Sequence, residues 1–123
     1  MKKRLILLAL NEINFEIVEQ YIDSGAKLPG FKRLLSGISR STTSEQKYSL
    51  LEPWIQWPSV HTGKKFEEHG VFRLGDFASC DADQIFEILE RHGLSAGAVS
   101  PMNATNRLKH PSYVIPDPWT NTS

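Results

Sequence analysis

The sequence predicts an α/β fold, specifically part of a three-layer αβα domain with a mainly parallel sheet. Three observations predict it. Residues 5–10 form a continuous apolar run, as in a strand that is covered on both faces. Two helix-like segments lie between this run and the next strand-like segment, and two more lie between that segment and the one after it. Strands that are separated by helices pair in parallel, with right-handed crossovers.

Composition and charge exclude several classes of protein. The 123 residues contain 40% hydrophobic and 23% charged side chains, which is the balance of one globular domain. The formal net charge is zero, so no charge excess favours nucleic acid or an anionic membrane. Cys80 is the single cysteine, so no internal disulfide can form and a reducing, cytoplasmic location is expected. No apolar stretch is long enough to span a membrane.

The first third of the chain predicts two strands and two helices. Leu5–Leu10 is a buried strand rather than a signal peptide, because the run is short and no small-residue cleavage site follows. Apolar residues from Ile13 to Ile22 recur with helical spacing, and Gly25 is placed to end that helix. Phe31–Leu35 predicts a second, short helix. The Ser- and Thr-rich segment Ile38–Thr43 predicts the next strand.

The middle of the chain predicts a helix and then a loop. Pro53 suits the first turn of a helix from about Trp54 to Thr62, because the missing N–H of proline costs nothing there. Pro58 predicts a kink or an early break in that helix. Residues 64–79 predict a loop with a short strand at Val71-Phe72.

The last third predicts the clearest helix and two strands. Asp81 is a good N-cap, and Gln84 follows three residues later, as in a capping box. Gly93 is placed to end the helix. The final strands are Ser95–Val99 and Tyr113–Ile115.

Polar residues follow the predicted strands, where ligands bind in open parallel sheets. Asn11 and Glu12 leave the first strand, and their oxygens suit a divalent cation. On the local pattern alone, the favoured interpretation is that Asn11 is a turn residue at the end of the strand and Glu12 lies in the first turn of the next helix. Asn103 leaves a later strand and is a candidate for binding substrate, although Asn103-Ala104-Thr105 also matches a glycosylation sequon, as does Asn121-Thr122-Ser123.

The helix that Pro53 begins is the second candidate region. Helix N-termini stabilise anions through their N–H groups and dipole. Glu52 is therefore either the anion that caps its own helix, or a metal ligand beside a substrate phosphate. Trp57 and His61 lie four residues apart on one helix face. They either pack in the core or line a substrate pocket.

Together these motifs resemble the N-terminal third of the alkaline phosphatase superfamily, in particular its type I phosphodiesterase and nucleotide pyrophosphatase group. The resemblance covers roughly residues 4–72. It rests on three features in order: the apolar strand followed by Asn11, the Gly25-to-Pro29 turn with its short helix, and a Trp-containing helix with Thr-Gly and His-Gly endings. The last feature reads Trp57-Pro58-Ser59-Val60-His61-Thr62-Gly63 and then His69-Gly70.

The resemblance implies a metal-dependent phosphoester hydrolase or transferase that acts on a small phosphorylated or sulfated substrate. It implies divalent metal ions, often two zinc ions, which hold the phosphate and lower the pKa of a Ser or Thr nucleophile. Residues 1–123 are then a single domain, the N-terminal part of a larger catalytic domain. Further Asp and His ligands are expected later in a longer chain, so this segment alone is expected to be inactive.

Individual positions carry over from the resemblance with two departures. Asn11 takes the position of the first metal-ligating Asp, with Glu12 beside it. The nucleophile position falls near Glu52 or Pro53, and neither residue has a hydroxyl group. Gln56 takes a position where relatives carry an amide that contacts the transferring group. The missing hydroxyl leaves open a non-catalytic relative or a small α/β binding module.

Overall fold

The structure is a computed structural model that describes residues 5–119. Five α-helices, two short 3-10 helices and a two-stranded parallel sheet within these residues make a mixed α/β fold. The chain divides into two compact units, one up to Thr43 and one from Ser44 onward. Within residues 5–119, no helix is both long and apolar enough to cross a lipid bilayer.

The first unit contains the two predicted helices. Helix α1 spans Phe15–Asp23 and begins where Asn14 Oδ1 accepts a hydrogen bond from the Ile17 N–H at 3.2 Å. It ends before Gly25, whose φ of 98° lies in the left-handed region that glycine tolerates best. Helix α2 spans Pro29–Leu35. The rings of Phe15 and Phe31 meet edge to face with their centroids 6.3 Å apart, which joins the two helices.

The two strands predicted for this unit are not formed. Residues 5–10 and 38–43 have no regular secondary structure, and the large apolar side chains of the first segment are 37–89% exposed. A strand needs a neighbouring strand for its backbone hydrogen bonds, and neither segment pairs with another part of residues 5–119. An apolar run shows that a segment could enter a sheet but does not supply its partner.

In the second unit, helix α3 spans Pro53–Thr62, as predicted. Pro53 occupies its first turn, and Gly63 ends it with a φ of 68°. A 3-10 helix, Tyr48–Leu50, precedes it. The region predicted as a loop contains helix α4, Phe66–His69, and a second 3-10 helix, Asp76–Ser79.

The strand predicted at Val71-Phe72 is absent from the described sheet. The Val71 N–H donates to Nδ1 of His69 at 3.0 Å, so a side chain takes the donor that a strand would use. Val71 is nevertheless buried, together with other apolar side chains of this unit. These are Leu50, Ile55, Phe77, Ala96 and Ala104.

Helix α5 spans Ile85–Arg91, and its N-cap is Gln84 rather than the predicted Asp81. The backbone N–H of Gln84 donates to Glu87 Oε2 at 2.6 Å. The side chain of Gln84 is fully buried and bonds both backbone groups of Thr105, at 2.8 Å through Nε2 and 3.1 Å through Oε1. These contacts hold Gln84 in an extended conformation, so the helix begins at the next residue, Ile85.

The last two predicted strands are present. Strand β1, Gly97–Val99, pairs in parallel with β2, Tyr113–Ile115, in the register Gly97–Tyr113, Ala98–Val114 and Val99–Ile115. Backbone bonds continue the pairing at both ends, from Ser112 N–H to Ala96 O at 2.9 Å and from Ser100 N–H to Ile115 O at 2.7 Å. The parallel pairing brings the residues that follow both strands to the same edge.

Candidate functional site

Helix α3 contains a carbonyl group that its own backbone cannot bond. In an α-helix, the carbonyl of residue i accepts from the N–H of residue i+4. Pro58 lies four residues after Trp54 and has no N–H, so the Trp54 carbonyl needs another donor. Nδ2 of Asn103 supplies it at 2.7 Å. The start of α3 is therefore fastened to the turn that follows β1.

The amide of Asn103 is fully occupied by such contacts. Besides Trp54, Nδ2 donates to the Arg73 carbonyl at 3.1 Å, and Oδ1 accepts from the Gly75 N–H at 3.0 Å. Asn103 is completely buried and has a φ of 48°, a left-handed conformation in which asparagine is enriched. A substrate could reach this amide only by displacing backbone groups, so the structure gives Asn103 a structural role.

Asp117 joins the ends of the two strands. It follows β2, is buried, and its Oδ2 accepts from the backbone N–H of Asn103 at 3.3 Å. Its Oδ1 accepts from the Trp119 N–H at 3.0 Å. The carboxyl edge of the sheet thus gathers a buried carboxylate, a buried amide and the first turn of α3.

Trp57 and His61, which the sequence places on one face of α3, do lie together. Their rings are stacked, with centroids 5.8 Å apart and planes inclined by 28°. His61 is buried, and its Nε2 lies 3.2 Å from the carbonyl oxygen of Met102, the residue before Asn103. Burial lowers the pKa of His61 below its usual value, and the bond to Met102 opposes this in part. The imidazole is therefore neutral and donates through Nε2.

Ser59 and His69 form a pair that has the spacing of a nucleophile and its base. Ser59 Oγ lies 3.0 Å from His69 Nε2. However, Nδ1 of His69 accepts from the Val71 N–H, so the proton of the neutral ring lies on Nε2. Burial lowers the pKa of His69, outweighing the nearby carboxylates of Glu45 and Glu68, and so favours the neutral ring. His69 therefore donates to Ser59 and is in the wrong tautomer to take its proton.

The remaining candidates around α3 are Glu52 and Gln56. Glu52 is the N-cap residue, but its side chain makes no capping hydrogen bond, so the prediction that it caps its own helix is wrong. Its carboxylate is exposed. Gln56 is half-buried and its Nε2 donates to the Leu50 carbonyl at 2.6 Å, which fixes the orientation of the amide. Contact of either residue with a transferring group stays a prediction.

Asn11 and Glu12, the candidate metal ligands, belong to the first unit. Both are exposed, and Glu12 has a φ of 58° in the turn that leads to α1. Two oxygen donors do not complete a zinc site, which takes about four ligands. Among residues 5–119, no group of three or more His, Cys, Asp or Glu side chains is arranged to hold a metal ion.

Contacts between side chains and distant backbone are the features that sequence reasoning missed. The Trp54–Asn103 bond had a signal, because Pro58 predicts an unpaired carbonyl four residues earlier. The Ser59–His69 pair had none, since it depends on how α4 packs.

The chain matches no protein-family model, and no curated protein or solved structure is similar enough to count as a match.

Proposed function

We propose that the chain is the N-terminal segment of a metal-dependent phosphoester hydrolase or transferase of the alkaline phosphatase superfamily, similar to phosphodiesterases and nucleotide pyrophosphatases. Its substrate would be a small phosphorylated or sulfated molecule, its metal zinc and its location cytoplasmic. The complete domain would be a three-layer αβα sandwich. The motif order from Asn11 to Gly70 motivates this proposal.

The observation that carries the proposal is the Trp54–Asn103 hydrogen bond. It holds the first turn of α3 at the carboxyl edge of a parallel sheet. This edge is where α/β proteins bind ligands, and a helix start beside it attracts anions. The exposed carboxylate of Glu52 lies at that helix start, and Gln56 follows one turn later.

The test is an assay of the protein at its natural length with bis-p-nitrophenyl phosphate. We expect turnover that EDTA abolishes and zinc restores. Replacing Asn11 or Glu12 with Ala should lower the turnover by at least about 100-fold if they bind the metal, since even outer-shell partners of metal ligands contribute 10–100-fold. Glu16→Ala, which removes a neighbouring acidic side chain, is the matched control. Turnover that survives the chelator would contradict the proposal.

A non-catalytic relative is the second candidate, and two observations favour it. Pro53 occupies the helix start without a reactive group, and the hydroxyl of Ser59, six residues later in the same helix, accepts a hydrogen bond rather than giving up its proton. Such a protein would bind a phosphorylated ligand without cleaving it. Calorimetric binding of inorganic phosphate or a nucleotide, with no product over hours, would identify this case.

A further inference from the structure

The imidazole of His61 connects three parts of the second unit. It stacks on Trp57 within α3 and meets the ring of Phe86 on α5, with both centroid distances 5.8 Å. Its Nε2 donates to the Met102 carbonyl in the turn after β1. Because Trp54 is bonded to Asn103 in the same turn, α3 is fastened to that turn at both of its ends.

The second ring nitrogen of His61 has a different environment. Nδ1 is buried, and it has no hydrogen-bond partner among residues 5–119. With the proton on Nε2, Nδ1 carries only a lone pair, which costs less to bury than a charge. A second proton would place a positive charge and a new donor there without an acceptor. A buried, unpaired charge is costly, so the folded unit disfavours that state.

Charged side chains on the surrounding elements are engaged elsewhere. Helix α3 itself carries no Asp, Glu, Lys or Arg. On α5, the charged side chains contact residues other than His61: Glu87 bonds Gln84, Glu90 accepts from the Lys109 and His110 N–H groups, and Arg91 pairs with Asp83. Near the turn, Asp117 accepts from the backbone N–H groups of Asn103 and Trp119. None of these contacts compensates a charge on His61.

We propose that His61 is an acid-sensitive lock, which holds the C-terminal end of α3 to the turn after β1 while its imidazole is neutral. Protonation opens the lock because the new Nδ1–H donor has no acceptor in its buried position, and the charged ring gains hydration by moving toward water. The Trp54–Asn103 bond at the other end has no titrating group and persists. The lock does not depend on the proposed enzymatic activity.

The direct test is a nitrogen-15 NMR titration of the histidines in the whole chain. We expect the neutral ring of His61 to carry its proton on Nε2, and its titration midpoint to lie below the ordinary histidine value of about 6.5. The second proton should arrive together with a change in the Met102 and Asn103 amide signals. Titration of His61 at pH 6.5 or above, or a proton on Nδ1 in the neutral ring, would overturn the proposal. This measurement needs no substitution.

The second test is urea unfolding between pH 7.5 and pH 5, followed by tryptophan fluorescence. All three tryptophans lie beyond Ser44, so the signal reports on the second unit. The folded pKa is lowered, so the stabilisation from His61 is complete above the unfolded pKa of about 6.5 and is lost as pH falls below it. One proton changes the folding equilibrium constant by at most about tenfold per pH unit.

The comparison uses His61→Gln, which cannot titrate, with His110→Gln as the matched control that removes an exposed imidazole. We expect H61Q to show a clearly smaller loss of stability over this pH range than the wild type, and H110Q to retain the wild-type loss. Equal losses in H61Q and the wild type would overturn the proposal. If H61Q does not fold, the NMR titration decides.

Discussion

The Trp54 carbonyl accepts a hydrogen bond from the Asn103 side chain at 2.7 Å, across 49 residues of sequence. Pro58 creates the need for this bond, because it removes the N–H that would otherwise satisfy the carbonyl within α3. Pro58 therefore leaves one helix carbonyl without its backbone donor, and Asn103, on the turn after β1, supplies a side-chain donor to it. This relationship sets the position of the candidate site.

We expect Asn103→Ala to destabilise the second unit by about 3 kcal/mol, at roughly 1 kcal/mol for each of three lost side-chain hydrogen bonds. The substitution leaves the carbonyls of Trp54 and Arg73 without this donor. Urea unfolding followed by tryptophan fluorescence measures the change. Asn106→Ala removes an exposed asparagine that bonds one nearby N–H, and it should cost far less. Equal costs for the two variants would contradict the role of Asn103.

A double-mutant cycle tests the role of Pro58. Pro58→Ala supplies an N–H that can bond the Trp54 carbonyl within the helix, so Asn103 is no longer its necessary donor. We therefore expect Asn103→Ala to cost about 1 kcal/mol less in the Pro58→Ala background than in the wild type. Strict additivity of the two substitutions would show that the Trp54 carbonyl does not couple them.

The helices were predictable where local chemistry determines them. Pro53 and Gly63 mark the ends of α3 in the sequence, and Gly25 marks the end of α1. Leu5–Leu10 was not predictable, because a strand depends on a partner that an apolar run does not specify. Gln84 was recognised as part of a capping box but at the wrong position, since its pairing with Thr105 is a tertiary contact. At the site, only the Trp57–His61 proximity followed from helical spacing.

Ser59 should not behave as an activated nucleophile. His69 donates its Nε2 proton to Ser59 Oγ, so no base is present in this pair to remove the hydroxyl proton. We expect a fluorophosphonate probe to leave Ser59 unmodified at pH 7, as measured by mass spectrometry of the tryptic peptide. A serine hydrolase treated in parallel confirms that the probe is reactive. A covalent adduct on Ser59 that disappears in His69→Gln would contradict the assigned tautomer.

Arg107 should be required for the conformation of residues 77–82. Its guanidinium donates to the carbonyls of Phe77 at 2.9 Å and Ala82 at 3.2 Å, and also to that of Cys80. It also lies 5.3 Å from the centroid of the Phe77 ring. Those carbonyls belong to a 3-10 helix and to the segment after it, and the planar guanidinium of Arg107 bonds all three. We expect Arg107→Ala to destabilise the second unit by about 2 kcal/mol in urea unfolding.

Arg107→Lys separates charge from geometry. Lysine keeps the charge but lacks the planar fork that bonds several carbonyls while stacking on a ring. We therefore expect it to recover less than half of the stability lost in Arg107→Ala. Arg91→Ala is the matched control, because Arg91 also carries a guanidinium but pairs with Asp83 at the exposed surface, where ion pairs contribute little. Full recovery by lysine would show that charge alone, rather than the three-carbonyl contact, is what the fold requires of Arg107.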